Sequence, residues 1–222
     1  MVSKTVVTYI VCAVIAVCFH EAAHGYVANY FGDATAKRAG RLTLNPIRHI
    51  DPFGTVLLPL ILIIAGLPVF GYAKPVPVNV SRLRKPRNHA VLVSMAGPGL
   101  NLAFAGLSIA ICRLSGATYE PFSGTIVASS SLTLNIAQAF GLFGLVNVLL
   151  AAFNLLPIPP LDGSAVIERL VPQRHIARYY ALRQSAMPFL FGFLLMNGLF
   201  FHLGNGMLDS LLNAFERLAF KS

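Results

Sequence analysis

Residues 5–31 read TVVTYIVCAVIAVCFHEAAHGYVANYF, a stretch that is almost entirely apolar. About 20 such residues are enough for a helix to cross a bilayer, so the stretch is predicted to be a transmembrane helix. It also contains His20, Glu21 and His24. Because polar side chains are costly at membrane depth and are usually functional there, the same stretch indicates the fold class and the place of a site.

The composition of the whole chain also indicates a membrane protein. Of its 222 residues, 56% are hydrophobic and only 11% are charged. Soluble domains carry about 25% charged residues, so an ordinary soluble enzyme is excluded, and intrinsic disorder is excluded by the same values. We predict one all-α, polytopic membrane domain over residues 1–222, with its core at about residues 5–170 and C-terminal helices over 186–220.

Four further apolar segments follow the first one. They are Phe53–Phe70, about Ala90–Cys112, about Leu132–Leu156 and about Ala186–Leu203. Together with the first segment they predict four to five transmembrane helices. The last stretch, Met207–Phe220, has Leu208, Leu211, Leu212, Phe215 and Leu218 on one helical face and is predicted to lie along the membrane interface.

Basic residues divide the connecting loops into two groups. Most of them lie in loops 32–52, 71–89 and 157–185, whereas loop 113–131 holds only Arg113. Because basic loops stay in the cytoplasm, the first three loops are predicted to be cytoplasmic and the fourth to be outside. The net charge of +9 follows from the same loops, and no nucleic-acid-binding motif accompanies it.

The segment Phe53–Phe70 is flanked by two of the loops predicted to be cytoplasmic. A single crossing would place those loops on opposite sides, so a re-entrant hairpin is favoured over a plain span. The breaks at Pro59, Gly66 and Pro68 agree, since interrupted helix is tolerated at membrane depth where protein or water satisfies the backbone.

The sequence His20-Glu21-Ala22-Ala23-His24 is an H-E-x-x-H motif. On a helix, two histidines four residues apart share a face and can bind one metal ion, and the intervening Glu is placed to act on a metal-bound water. A catalytic zinc ion needs a third protein ligand. Asp162, in the stretch NLLPIPPLDG over 154–163, stands out among the acidic residues, although on its own this pattern favours a cap for a helix over 163–170.

Three motifs together resemble a known family. HEAAH over 20–24, SMAGPGLN over 94–101 and NLLPIPPLDG over 154–163 are similar, in order and spacing, to the site-2 proteases, the intramembrane zinc metalloproteases of peptidase family M50. The resemblance covers about residues 10–170. It is to the compact prokaryotic members, without PDZ or CBS domains.

The resemblance implies a role for each matching residue. His20, His24 and Asp162 would bind one Zn²⁺ per chain, and Glu21 would be the general base. Asn101 and Asn154 would contact the substrate or the developing oxyanion. The stretch GYAKPVPVN over 71–79 also looks family-like, and its alternating prolines predict an extended chain.

The implied activity is hydrolysis of a peptide bond in or near a transmembrane helix of a membrane protein substrate. The site would face the cytoplasm from a prokaryotic plasma membrane, and the extended pieces 41–45 and 74–79 could pair with an unwound substrate. The alternatives are a membrane transporter or metal-ion carrier, for which buried His, Glu and Asp would also be expected, and a catalytically inactive scaffold.

Overall fold

Long α-helices dominate the part of the chain that the structure describes. The computed structural model describes residues 4–66, 71–120, 125–183 and 205–220, together with Ala186 and Gly192. In chain order the helices are α1 (Lys4–Tyr30), α2 (Thr35–Arg38), α3 (Leu58–Ile64), α4 (Pro86–Ser115), α5 (Ser131–Asn154), α6 (Ser164–Leu170), α7 (176–183) and α8 (Asn205–Ala219).

Three of these helices, α1, α4 and α5, are long and apolar enough to cross a membrane. They correspond to the first, third and fourth segments of the sequence analysis, and the predicted all-α membrane fold is confirmed. The predicted segment Ala186–Leu203 lies outside the described residues, apart from Ala186 and Gly192.

Shorter elements connect the long helices. Turns of 3-10 helix cover Pro46–His49, Val80–Arg82 and Gln173–His175. An antiparallel strand pair, β1 (Thr118–Glu120) and β2 (Thr125–Val127), follows α4 with Thr118 opposite Val127. The sequence predicts only a loop in this region, because strands of three residues give no measurable periodicity.

The two ends of the short helical segment after His49 are joined by backbone hydrogen bonds. A π-helix, Pro52–Leu57, leads into α3, and the two together are at most about 20 Å long, too short for a core of about 30 Å. The Tyr72 N–H donates to the Gly54 carbonyl at 3.1 Å, and the Lys74 N–H donates to the His49 carbonyl at 2.9 Å. The chains before and after this segment therefore lie side by side, as a re-entrant hairpin would require, and re-entry into a membrane stays a prediction.

The described contacts form two compact units. The first unit contains Met1–Val17, Gly99–Ala152 and Gly204–Ser222, and the second contains Cys18–Pro98 and Phe153–Leu203. The helices α1, α4 and α5 each contribute residues to both units.

The core of the first unit is built around α8. Phe215 and Phe220 are almost fully buried among small side chains that include Cys112 and Ala137. The Arg113 side chain donates to the carbonyls of Leu218 and Arg217 at the end of α8. Leu218, on the predicted apolar face of α8, is 54% exposed, and the placement of this face along a membrane interface stays a prediction.

In the second unit, the non-helical stretch 71–79 packs against α1 at Gly25. A Cβ on Gly25 would lie 3.1 Å from Cγ1 of Val76, so the glycine lets the two chains approach closely. Asp33 follows α1, is fully buried, and accepts from the Asn79 N–H at 2.6 Å. Burial raises the pKa of Asp33, but hydrogen bonds from Thr35 and Asn79 outweigh burial and lower the pKa below its usual range.

The packing of α8 predicts that Gly144→Ala destabilises the protein. The added Cβ would lie 2.6 Å from Cζ of Phe215 and 2.7 Å from Cβ of Ser108. Overpacking of this kind costs about 1–3 kcal/mol, which should lower the Tm measured in detergent. The matched control is Gly106→Ala in α4, whose Cβ would meet no described atom within 4 Å and should stabilise the helix by about 0.5–1 kcal/mol. Equal Tm values for the two variants would contradict this packing.

Candidate metal centre

The two histidines of the HEAAH motif lie one turn apart on α1 and are both buried, at 6% and 8% exposure. Their Nε2 atoms are 3.1 Å apart. The Oδ2 atom of Asp162 lies 3.2 Å from Nε2 of His20 and 3.4 Å from Nε2 of His24. The structure thus brings together the three residues that the sequence analysis selected as metal ligands.

The chain after α5 carries Asp162 to this position. Prolines 157, 159 and 160 prevent α5 from continuing, and the Gly163 N–H donates back to the Asn154 carbonyl at 2.7 Å. A Cβ on Gly163 would overlap the Leu155 carbonyl, so the close return requires glycine. Helix α6 begins at Ser164 without a side-chain cap, so the Asp162 carboxylate is not used as a helix cap.

The imidazole of His24 is held in place by a hydrogen bond at its Nδ1 atom. Its Nδ1 atom lies 2.7 Å from the Val93 carbonyl of α4, and both groups are buried. Since a carbonyl can only accept, Nδ1 carries the proton and Nε2 keeps a free lone pair. This is the tautomer that a metal ligand needs.

Gly97 faces the two ligand nitrogens from α4. A Cβ at this position would lie 2.5 Å from Nε2 of His24 and 2.7 Å from Nε2 of His20. The space in front of both imidazoles therefore stays open only because residue 97 has no side chain. Gly97 belongs to the Gly-Pro-Gly of the second motif, and its role could not be read from the sequence.

The donor atoms fit a zinc ion. Two ligands of tetrahedral zinc, each about 2.0–2.1 Å from the metal, lie about 3.3–3.4 Å apart, and the three observed separations run from 3.1 to 3.4 Å. Within the described part of the chain, Oδ2 of Asp162 is buried and has no hydrogen-bond partner of acceptable geometry. Two nitrogens and one carboxylate oxygen are also the donor types that zinc prefers.

The Asp162 carboxyl group would coordinate a metal in its deprotonated form, because a deprotonated oxygen is the form that binds metal ions.

Glu21 lies beside the three ligands. It lines the same cavity of about 540 Å³ as His20, His24 and Asp162. Its Oε2 atom accepts from the Val76 N–H at 2.8 Å. The carboxylate of Glu21 is therefore held by the backbone of the stretch 71–79, a partner that the sequence did not reveal.

The two asparagines occupy different settings. Asn154 ends α5 and lines the cavity with Glu21. Asn101 belongs to the first unit, is fully buried, and donates from Nδ2 to Oδ1 of Asn147 at 2.7 Å. The contact of Asn101 with substrate stays a prediction. Asn147 was not among the predicted site residues, although an asparagine inside an apolar segment is itself a signal of a buried polar contact.

The chain matches the model of the family described as peptidase family M50 over residues 8–199. It is 45% identical over 163 residues to "Putative zinc metalloprotease YwhC" of Bacillus subtilis, a match that covers 73% of this chain and 68% of the relative. It is 35% identical over 192 residues to "Putative zinc metalloprotease Rip2" of Mycobacterium tuberculosis, covering 84% and 67%. No solved structure matches the chain.

The geometry at Gly97 predicts that Gly97→Ala lowers zinc binding. The added methyl group must displace the His20 and His24 imidazoles. Substitution of residues that hold metal ligands in place typically lowers metal affinity about 10–100-fold, and a loss of at least this order is expected here. Zinc content of the purified protein, measured by mass spectrometry after dialysis against a weak chelator, reports the loss. Gly99→Ala is the matched control, because its Cβ would meet no described atom within 4 Å. Full zinc content in both variants would show that residue 97 does not shape the site.

Proposed function

The chain belongs to peptidase family M50, and from this premise we propose that it hydrolyses a peptide bond in or near a transmembrane helix of a membrane protein substrate. The protein is a zinc metalloprotease and an integral membrane protein. The further proposal concerns where its substrate lies and which residues act on it.

One observation carries this proposal. The proposed ligands His20 and His24 and the proposed base Glu21 all project from α1, one of the helices that is long and apolar enough to cross a membrane. A peptidase whose zinc ligands sit on such a helix acts at or near the bilayer. A substrate segment that is itself in the membrane is the peptide most available to it.

We assign the zinc ligands to His20, His24 and Asp162. A zinc ion held there would supply Lewis-acid polarisation of the scissile carbonyl and would acidify a bound water. Glu21 takes the proton from the attacking water as the carbon–oxygen bond forms, and delivers it to the amide nitrogen as the carbon–nitrogen bond breaks. Because the Val76 N–H occupies Oε2 of Glu21, the other oxygen is the one that carries the proton.

The developing oxyanion needs a donor. Asn154 lines the cavity with Glu21 and Asp162, and its side-chain amide can donate. Removal of one such donor costs about 2.7–4 kcal/mol of transition-state stabilisation in other enzymes. We propose this role for Asn154, and keep Asn101 as the second candidate on the basis of its motif alone.

The stretch 71–79 is proposed to hold the substrate. Five of its residues line the cavity, and they are Tyr72, Ala73, Pro75, Val76 and Val78. A helical substrate hides its peptide bonds, so it must unwind and can then pair with an exposed backbone edge. In the described part of the chain, the Val76 carbonyl and the Val78 N–H have no hydrogen-bond partner. The carbonyl belongs to the residue whose N–H binds Glu21, and the Val78 N–H follows two residues later.

We place the site toward the cytoplasmic face of a prokaryotic plasma membrane. The basic loops 71–89 and 157–185 both belong to the unit that contains the ligands, and basic loops remain in the cytoplasm. The proposed partners are accordingly a transmembrane protein substrate and the surrounding lipid.

The mechanism predicts that Glu21→Gln abolishes cleavage while zinc stays bound. Glutamine keeps the size of the side chain but cannot accept a proton, so the rate should fall about 100-fold or more. The assay uses purified protein in detergent and a reporter with a single transmembrane helix, with products identified by mass spectrometry. Asp51→Asn is the control, because Asp51 caps the π-helix and lies outside the cavity lining. Cleavage by Glu21→Gln at the wild-type rate would refute the mechanism.

The proposed orientation predicts the labelling of an introduced cysteine. In intact cells, a membrane-impermeant maleimide should not label Ser81→Cys but should label Ser129→Cys in the loop predicted to be outside. The native Cys12, Cys18 and Cys112 are buried and supply little background. After the cells are opened, Ser81→Cys should react. Labelling of Ser81→Cys in intact cells would reverse the orientation.

A further inference from the structure

A second cavity adjoins the one that contains the zinc ligands. It measures about 430 Å³ and lies between the start of α4 and helices α6 and α7. The two cavities share four lining residues, which are Val80, Ala90, Ala165 and Glu168. Glu168 is the charged member of this shared wall, so a single carboxylate marks the boundary between the cavities.

The Glu168 carboxylate is held by two side chains of α7. Its Oε2 atom accepts from Nη1 of Arg183 at 2.7 Å, and its Oε1 atom accepts from the Tyr180 hydroxyl at 2.8 Å. Arg183 lines the cavity with the zinc ligands, whereas Tyr180 lines the adjoining one. These three side chains therefore bridge the boundary from one cavity to the other.

In this ion pair the Glu168 carboxylate is largely buried, whereas the Arg183 side chain is partly exposed. The Glu168 side chain is only 14% exposed, and the Arg87 side chain ties down the end of α6 by donating to the carbonyls of Glu168 and Arg169. The Arg183 side chain is 43% exposed. Because the guanidinium of Arg183 is partly solvated, Arg183 can leave at little cost if another cation takes its place.

The chemistry of a membrane substrate supplies such a cation. Lys and Arg are concentrated at the cytoplasmic ends of transmembrane helices. A helix that enters the zinc cavity with its cytoplasmic end toward the adjoining cavity would carry a basic side chain past Glu168. An acidic side chain there would face a largely buried carboxylate, and an apolar one would leave Arg183 in place.

We propose that Glu168 is a specificity-determining residue that binds a Lys or Arg side chain on the cytoplasmic flank of the cleaved helix, and that Arg183 occupies its place when no substrate is bound. The adjoining cavity then receives the chain beyond that basic residue. This inference rests on the proposed function, because it requires a membrane substrate cut from the cytoplasmic side.

The test uses three reporters with one transmembrane helix that differ only in the first residue of the cytoplasmic flank, which is Lys, Ala or Glu. For the wild-type protein, kcat/KM should fall from Lys to Ala to Glu, with about a fivefold or greater difference between Lys and Glu that resides in KM. Glu168→Gln should bring the Lys/Glu ratio close to one, and Glu168→Lys should invert it. Arg183→Ala should raise the Lys/Ala ratio, since the competing internal cation is gone.

Glu216→Gln is the matched control, because Glu216 also lies close to a tyrosine hydroxyl, that of Tyr119, but belongs to the first unit. Its Lys/Glu ratio should equal that of the wild type. A Glu168→Gln variant that slows all three reporters equally, with the ratio unchanged, would show a merely structural role and overturn the inference. Wild-type protein that cleaves all three reporters at one rate would overturn the inference alone, whereas zinc-loaded protein that cleaves none would refute the proposed function as well.

Discussion

Two imidazole nitrogens and one carboxylate oxygen lie within 3.4 Å of one another in a chain with very little charge, and the second unit is arranged around them. Packing three electron-pair donors together is unfavourable unless a cation joins them, and desolvation adds to that cost. The separations match those of a tetrahedral zinc site, so the cluster is understandable as a ligand set. The constraint on the rest of the chain is then to bring residue 162 back to residues 20 and 24.

At three glycines the backbone lies unusually close to a neighbouring group, and these close approaches help to bring the ligands together. Gly97 lets α4 face the ligand nitrogens, Gly163 lets the chain after α5 fold back on itself, and Gly25 seats the stretch 71–79 on α1. In each case a Cβ would occupy space that another group needs. The site therefore depends on residues that carry no functional group, and their substitution would alter ligand positions without removing a ligand.

Local signals in the sequence were sufficient to predict part of this arrangement. Hydropathy located α1, α4 and α5, and the spacing of His20 and His24 placed both ligands on one helical face. Loop charge favoured re-entry of the segment after His49. The contact of Val93 with His24, the burial of Asp33 and the Asn101–Asn147 pair could not be predicted, since each joins residues brought together by packing rather than by chain neighbourhood.

The alternating prolines illustrate how one pattern can serve two purposes. From the sequence, Pro75 and Pro77 predict only an extended chain. They also remove two N–H groups, so Lys74, Val76 and Val78 are the donors that remain between residues 74 and 78. In an extended chain, alternate residues direct their N–H groups to the same edge, and the Val76 N–H meets Glu21. The opposite edge has lost its donors at both prolines and pairs poorly with any strand, so the proposed substrate pairing is assigned to the edge beside the proposed base.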